Sequence, residues 1–173
     1  IKANIIISAG RMRLPRQPKL ISLMACQVPI SANPYTAGFK HLNRLDQVLA
    51  RQEVDQADVD DGLLFDPQGH IIEATSANIF LLKNQQLITP DLSMAGVNGI
   101  VRQAVLNKLP EIGLTCEVKQ IKLGDCLSAD GLMLCNSLQP VRLVERLDEQ
   151  CYQTSAWPEG LIRFIFQEAY QHG

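Results

Sequence analysis

The sequence predicts a mixed, strand-rich α/β domain with a few helices packed around it. Three observations carry that expectation. Short apolar runs bounded by turn residues recur along the chain, as where Leu63-Leu64-Phe65 leads into Asp66-Pro67-Gln68-Gly69. A few other stretches place apolar residues at offsets of three and four, the helical period. The 173 residues, 46% hydrophobic and 20% charged, suffice for one domain with a real core.

Taken in order, Ile5–Ile7 reads as a short buried strand and Arg11–Pro18 as a basic, proline-bearing connector. Ser22–Ile30 is apolar enough for a strand, stopped by Asn33-Pro34. From Leu42 onward, Leu42, Leu45, Val48 and Leu49 with charges between them predict an amphipathic helix. Leu63–Phe65 and Ile71–Glu73 form one expected hairpin, and Ile79–Leu82 with Leu87–Thr89 a second around Lys83–Gln86. Gly96-Val97-Asn98-Gly99 opens a helix carrying Ile100, Val101, Ala104, Val105 and Leu109, which Gly113 ends. Glu117–Leu123, Leu132–Cys135 and Val141–Leu147 read as further strands. Leu161, Ile162, Ile165 and Phe166 mark a last amphipathic helix. Internal repeats and low-complexity segments are absent from the sequence.

The formal charge of −2 gives no electrostatic case for nucleic acid or anionic membrane. No apolar run approaches the length of a membrane span, and the first residues lack a basic-then-apolar signal pattern. Cys26, Cys116, Cys126, Cys135 and Cys151 are odd in number and scattered, which indicates neither a zinc site nor a disulfide framework and suits a reducing cytoplasm. His41, His70 and His172 have no metal-ligand spacing, so metal chemistry is not expected. The chain opens at Ile1 in a strand-like run without a methionine, which reads as part of a longer polypeptide.

Three separated segments suggest a site for one cofactor. Lys40, in Gly38-Phe39-Lys40-His41-Leu42-Asn43-Arg44-Leu45, precedes a helix. A lone lysine is ordinarily a solvated surface residue. The functional reading is an amine that attacks an aldehyde, which requires its proton to be lost through desolvation or a neighbouring cation. Glu73 ends an apolar strand, where an unpaired carboxylate is expensive. It either points to water from an edge strand or faces a protonated pyridine nitrogen, keeping that ring an electron sink. Gly96–Arg102 begins a helix, whose exposed N–H groups and dipole suit a phosphate. Cys135-Asn136-Ser137, between two strands, adds a hydroxyl.

The lysine motif, Glu73-x4-Asn78-x-Phe80, and Gly96-Val97-Asn98-Gly99-Ile100-x-Arg102 together resemble the class IV pyridoxal-phosphate-dependent aminotransferase family, in family order from about Ser22 onward. The resemblance implies the large domain of the D-amino-acid aminotransferase-like fold, a barrel-like sheet with surrounding helices. Residues 15–173 would be the pyridoxal-phosphate-binding large domain, and 1–14 the remnant of a smaller N-terminal domain and connector. It further implies Lys40 as the Schiff-base lysine, Glu73 as partner of the pyridine nitrogen, and Gly99, Ile100 and Val101 as the phosphate loop. Asn78, Asn136, Ser137 and Arg44 are implied as further cofactor contacts. For Arg44 a helix-surface contact with Asp46 or Gln47 stands beside that role. The family often has threonine at the position of Val101, so one hydroxyl contact is lost.

Arg44 stands where branched-chain aminotransferases usually carry tyrosine. Lys40–Leu45, Gly96–Gln103 and Cys135–Leu138 with Pro140 look like the aminodeoxychorismate lyase branch. That branch implies elimination of pyruvate from 4-amino-4-deoxychorismate to give 4-aminobenzoate in folate biosynthesis, by a cytoplasmic homodimer. A D-amino-acid or branched-chain aminotransferase is the alternative within the fold, and a non-catalytic scaffold the alternative outside enzymes. Compared with the family, the junctions Gly10/Arg11 and Ile21/Ser22 look compressed, which predicts missing segments at both.

Overall fold

The computed structural model describes residues 7, 8, 10 and 15–170. The expected strand at Ile5–Ile7 and the Gly10/Arg11 junction therefore lie wholly or partly outside the described residues. Within them the chain forms strand β1 (Lys19–Ala25), helix α1 (Leu45–Ala57), the hairpin β2 (Asp61–Phe65) and β3 (His70–Ala74), and the hairpin β4 (Asn78–Lys83) and β5 (Gln86–Pro90). Helix α2 (Ile100–Lys108), β6 (Cys116–Lys119), β7 (Ile121–Lys122) and the short α3 (Leu123–Leu127) follow. The chain closes with β8 (Gly131–Cys135), β9 (Arg142–Leu147), β10 (Gln150–Cys151) and α4 (Glu159–Tyr170).

The strands join one mixed sheet in the order β6-β5-β4-β8-β9-β1-β2-β3-β7, with β10 folding back on β9. β1 runs parallel to both β2 and β9, and β5 parallel to β6; the hairpin pairs are antiparallel. One apolar cluster holds Ile21 and Leu23 of β1, Leu63 of β2, Ile71 of β3, Ile79 and Leu81 of β4, Ile88 of β5, Ile121 of β7, Leu132 and Leu134 of β8, and Val144 of β9. Strands from both halves of the order share it, so the sheet curls around this core as the barrel-like expectation requires.

The outer face is covered by helices, and this explains why the strands are apolar without alternation. Phe80 and Leu82 of β4, with Met133 of β8 and Leu143 of β9, pack under Val101 and Val105 of α2 and Leu161, Phe164 and Ile165 of α4. On the other flank Leu64 and Ile72 pack under Ala50 and Val54 of α1. Among the described residues no helix is long and apolar enough to cross a membrane.

Local chemistry sets the turns. Asp66 Oδ1 accepts the amides of Gln68 (2.9 Å) and His70 (2.8 Å), and Gly69 takes a left-handed φ of 81° to close the first hairpin. The second hairpin closes on two residues, Asn84 and Gln85, both with positive φ (50° and 63°), a turn whose twist matches that of the strands.

Several expectations need correction. The strand expected at Ser22–Ile30 begins at Lys19 and ends at Ala25. Beyond it, Glu53 of α1 accepts the amides of Gln27 (2.7 Å) and Val28 (2.9 Å), bending that segment out of the sheet. At the Ile21/Ser22 junction the pairing of β1 with β9 shifts register, a bulge within the strand. The first helix starts at Leu45, not Leu42, and its apolar stripe of Leu45, Val48 and Leu49 is exposed while the small Ala50 and Val54 are buried. The strand expected at Glu117–Leu123 is divided between β6 and β7, and Leu123 starts α3, where the Asp125 carboxylate accepts the Lys122 amide (2.8 Å).

Candidate active site

The two loops expected to carry chemistry are stitched together by glycines. Gly38 and Gly96 have φ of 82° and 85°, open to glycine at little cost. Their backbones exchange bonds, Gly38 N–H to the Gly96 carbonyl (2.9 Å) and Asn98 N–H to the Gly38 carbonyl (3.0 Å). The segment that bears Lys40 is thereby fixed against the turn that opens α2. Asn78, at the start of β4, secures the same turn from below. Its Nδ2 donates to the Val97 carbonyl (2.7 Å) and its Oδ1 accepts from the Gly99 amide (3.1 Å).

These elements surround a cavity of about 510 Å³. All nine residues expected at the site line it: Lys40, Arg44, Glu73, Asn78, Gly99, Ile100, Val101, Asn136 and Ser137. The volume lies within the range of small-molecule pockets.

Glu73, 2% exposed, is the buried anion of the cavity. Its Oε2 accepts the Val97 amide (2.8 Å) and its Oε1 the Arg44 guanidinium (3.2 Å). Burial pushes its carboxyl above the ordinary range, against the pull of the Val97 amide and of Arg44. Arg44 thus leaves the helix surface: its partner is Glu73, whereas Asp46 accepts the Ser31 amide (2.8 Å). Of the two readings of Arg44, the inward one agrees with the geometry, although it meets the carboxylate expected to face a ring nitrogen.

The start of α2 borders the same cavity. Gly99 caps the helix without a side chain, so no side-chain oxygen occupies the first amides, and Ile100 and Val101 border the cavity. Asn136 is consumed by its own loop. Its Oδ1 accepts the amides of Leu138 (3.0 Å) and Gln139 (2.7 Å), and its Nδ2 donates to the Ser76 carbonyl (3.1 Å). It shapes the loop that presents Ser137, as Asn78 shapes the α2 turn.

A buried carboxylate with lone pairs to spare, an amine on the rim and an uncapped helix start are the donor set that a pyridine ring bearing an aldehyde and a phosphate requires. The residues present fit such a group.

Sequence reasoning missed the foundation of the wall. Asp61, at 0% exposure, pairs with Arg142, at 5%, through Arg142 Nη2 and Asp61 Oδ2 (2.9 Å). Asp61 also accepts the amides of Gly62 (2.9 Å) and Thr75 (3.0 Å) and the hydroxyls of Thr75 (2.5 Å) and Ser76 (2.8 Å). Thr75 and Ser76 line the cavity, so this ion pair holds its floor. The signal available in the sequence was Asp61 opening a strand of otherwise apolar character.

A family model described as amino-transferase class IV matches residues 2–147. The chain belongs to the class IV aminotransferase family. Among curated members, it is similar to an aminodeoxychorismate lyase of Vibrio harveyi, 38% identical over 122 residues, which cover 70% of this chain and 45% of the lyase. It also resembles a putative branched-chain-amino-acid aminotransferase of Methanocaldococcus jannaschii, 30% identical over 131 residues, 75% of this chain and 44% of that protein. The chain spans about half the length of the curated relatives it matches.

Solved structures agree. A 4-amino-4-deoxychorismate lyase from Pseudomonas aeruginosa aligns with a TM-score of 0.77 at 33% identity, covering 85% of this chain and 53% of that one. One described as a putative 4-amino-4-deoxychorismate lyase from Legionella pneumophila aligns with a TM-score of 0.79 at 26% identity, covering 92% of this chain and 59% of that one.

Proposed function

We propose that this family member is the cofactor-binding domain of a pyridoxal 5′-phosphate-dependent 4-amino-4-deoxychorismate lyase, which eliminates pyruvate to give 4-aminobenzoate. The observation that carries the reading is the convergence of Lys40, Glu73, the α2 start and Ser137 on one cavity. The similarity to lyases of Vibrio harveyi and Pseudomonas aeruginosa supports the choice within the family. Residues 15–173 form the cofactor-binding domain in this reading, and the enzyme acts in the cytoplasm as a homodimer.

Lys40 would attach the cofactor and Glu73 would pair with its ring nitrogen, while the amides of Ile100 and Val101 with the Ser137 hydroxyl would receive the phosphate. When bound, the cofactor withdraws electrons from the substrate carbon that bears the amino group. Once the substrate's amino group has displaced it, the freed Lys40 amine would take the proton from that carbon as general base. The electron pair left behind expels the enolpyruvyl ether oxygen as its carbon–oxygen bond breaks, and the ring becomes aromatic. Lys40 then returns a proton to the departing enolpyruvate, which leaves as pyruvate. Glu73 keeps the ring nitrogen protonated, and its burial strengthens that pairing. Arg44, released from Glu73, is free to receive a substrate carboxylate.

The test is a spectrum of the full-length protein with pyridoxal 5′-phosphate, then borohydride reduction and peptide mapping. A visible band abolished in Lys40→Ala, with the reduced cofactor on the Lys40 peptide, is the expected result. Attachment elsewhere, or no band, defeats the reading. Release of pyruvate and 4-aminobenzoate from aminodeoxychorismate separates the lyase from an aminotransferase, which would instead show 2-oxoglutarate-dependent amino transfer.

A further inference from the structure

Arg102 stands in the first turn of α2, the turn that also holds Ile100 and Val101, and is only 4% exposed. Its guanidinium donates to Asn98 Oδ1 (2.7 Å), to the Pro90 carbonyl (2.8 Å) and to Thr89 Oγ1 (3.3 Å). All three acceptors are neutral. Among the described residues no carboxylate lies within ion-pair distance of it. Asp91, close in the chain, attracts the guanidinium from beyond ion-pair distance, while its carboxylate accepts the amide (3.0 Å) and hydroxyl (2.7 Å) of Ser93.

A buried guanidinium without a counter-ion carries a desolvation cost that neutral acceptors only partly offset. An apolar side chain of similar size would pack into the same space without that cost. The charge is also placed to act on one feature. Its bond to Asn98 holds the residue just before Gly99, whose carbonyl starts α2 by accepting the Gln103 amide (2.9 Å). Gln103 adds a second tie, Nε2 to the Asn98 carbonyl (2.7 Å). Arg102 does not itself line the cavity.

We propose that Arg102 is a positioning residue that makes the α2 seat selective for a phosphate dianion. It fixes the Asn98-Gly99 turn so that the Ile100 and Val101 amides point into the cavity, and it adds behind them a positive charge that has no carboxylate in contact. The bound anion becomes the counter-ion that Arg102 lacks. The proposal rests on the cofactor reading above and extends it to a residue that touches no ligand.

The experiment compares two probes that share one ring, pyridoxal 5′-phosphate and pyridoxal, on full-length wild type, Arg102→Met and Arg102→Lys. Dissociation constants come from absorbance titration, and thermal unfolding without ligand reports folding. Arg102→Met is expected to weaken pyridoxal 5′-phosphate binding at least tenfold, since a factor of ten needs only a unit charge about 12 Å away at an effective dielectric of about 20. Pyridoxal binding should stay within about twofold, because the ring contacts are untouched. Arg102→Lys keeps the charge and loses the planar fork, so it should retain more of the phosphate preference than Arg102→Met. Should Arg102→Met fail to fold, the lysine variant bears the test, with a reduced but persistent preference expected. Equal losses for both probes would reveal a merely structural arginine and overturn the proposal, as would an unchanged preference. If wild type binds neither probe, or does not favour the phosphorylated one, the cofactor reading itself fails and this inference with it.

Discussion

Replacing Arg142 by methionine removes, among the described residues, the sole cation paired with Asp61 and leaves a fully buried carboxylate behind. Breaking one side of a buried ion pair costs about 3–5 kcal/mol. Asp61 would keep the amides of Gly62 and Thr75 and the hydroxyls of Thr75 and Ser76. Those remaining donors put the expectation at the lower end, about 3 kcal/mol. For a chain of this length each kcal/mol moves Tm by about 2–4 °C, so the variant should melt about 6–12 °C below wild type. Asp61→Asn combined with Arg142→Met removes both charges while keeping an acceptor for Thr75 and Gly62. The double variant should therefore regain more than half of the loss, so a double-mutant cycle should return a coupling of at least about 1.5 kcal/mol. Urea and thermal unfolding measure both quantities. The same titrations should show weaker cofactor binding in Arg142→Met, because Ser76 lines the cavity and its carbonyl holds Asn136. A loss below about 1 kcal/mol in Arg142→Met, or a double variant no better than the single one, would refute the reasoning that this pair supports the wall.

Two further outcomes follow from the site. Burial holds the Glu73 carboxyl above its ordinary value of 4.5, with the Val97 amide and Arg44 opposing. Such a carboxyl contributes its stabilisation fully below the unfolded value, and loses it as pH rises through the folded one. Glu73→Gln should therefore gain in Tm relative to wild type as pH climbs above about 4.5, while cofactor-dependent activity falls. A variant that instead loses ground towards neutral pH would contradict the burial argument. At Gly99 an added Cβ would fall on Asn78 Oδ1, whose amide holds both the Val97 carbonyl and the Gly99 amide. Gly99→Ala should cost about 1–3 kcal/mol and weaken pyridoxal 5′-phosphate binding; calorimetry that finds both unchanged would show the approach to be slack.

What was legible in the sequence is what short-range chemistry decides. Asp66–Gly69 and the Gly96–Gly99 turn carry their own signals, so the hairpins and the start of α2 stand where expected. Lys40, Glu73 and Gly99, from three segments that each suited one part of a single cofactor, share one cavity. What long-range packing decides was not readable. Asp61 and Arg142 are 81 positions apart, and neither has a local reason to be buried. The stripe Leu45, Val48 and Leu49 has the period of a buried face, yet α1 meets the sheet through Ala50 and Val54, small enough to let the helix approach Leu64 and Ile72. In Glu117–Leu123 the apolar Val118, Ile121 and Leu123 are interspersed with polar residues, and the Asp125 carboxylate that caps α3 lies beyond that run.

Strands β4 and β8 run antiparallel, with Asn78 opposite Cys135 at the cavity and Leu82 opposite Gly131 at the far end. About 17 Å of ladder, at roughly 3.4 Å per residue, separates the Asn84–Gln85 turn from the chemistry. That exposed tip is thus the place to attach a fluorophore, a surface tether or an affinity handle without disturbing the pocket. Gln85→Gly there would also relieve a left-handed backbone, adding some margin against the destabilisation that active-site variants bring.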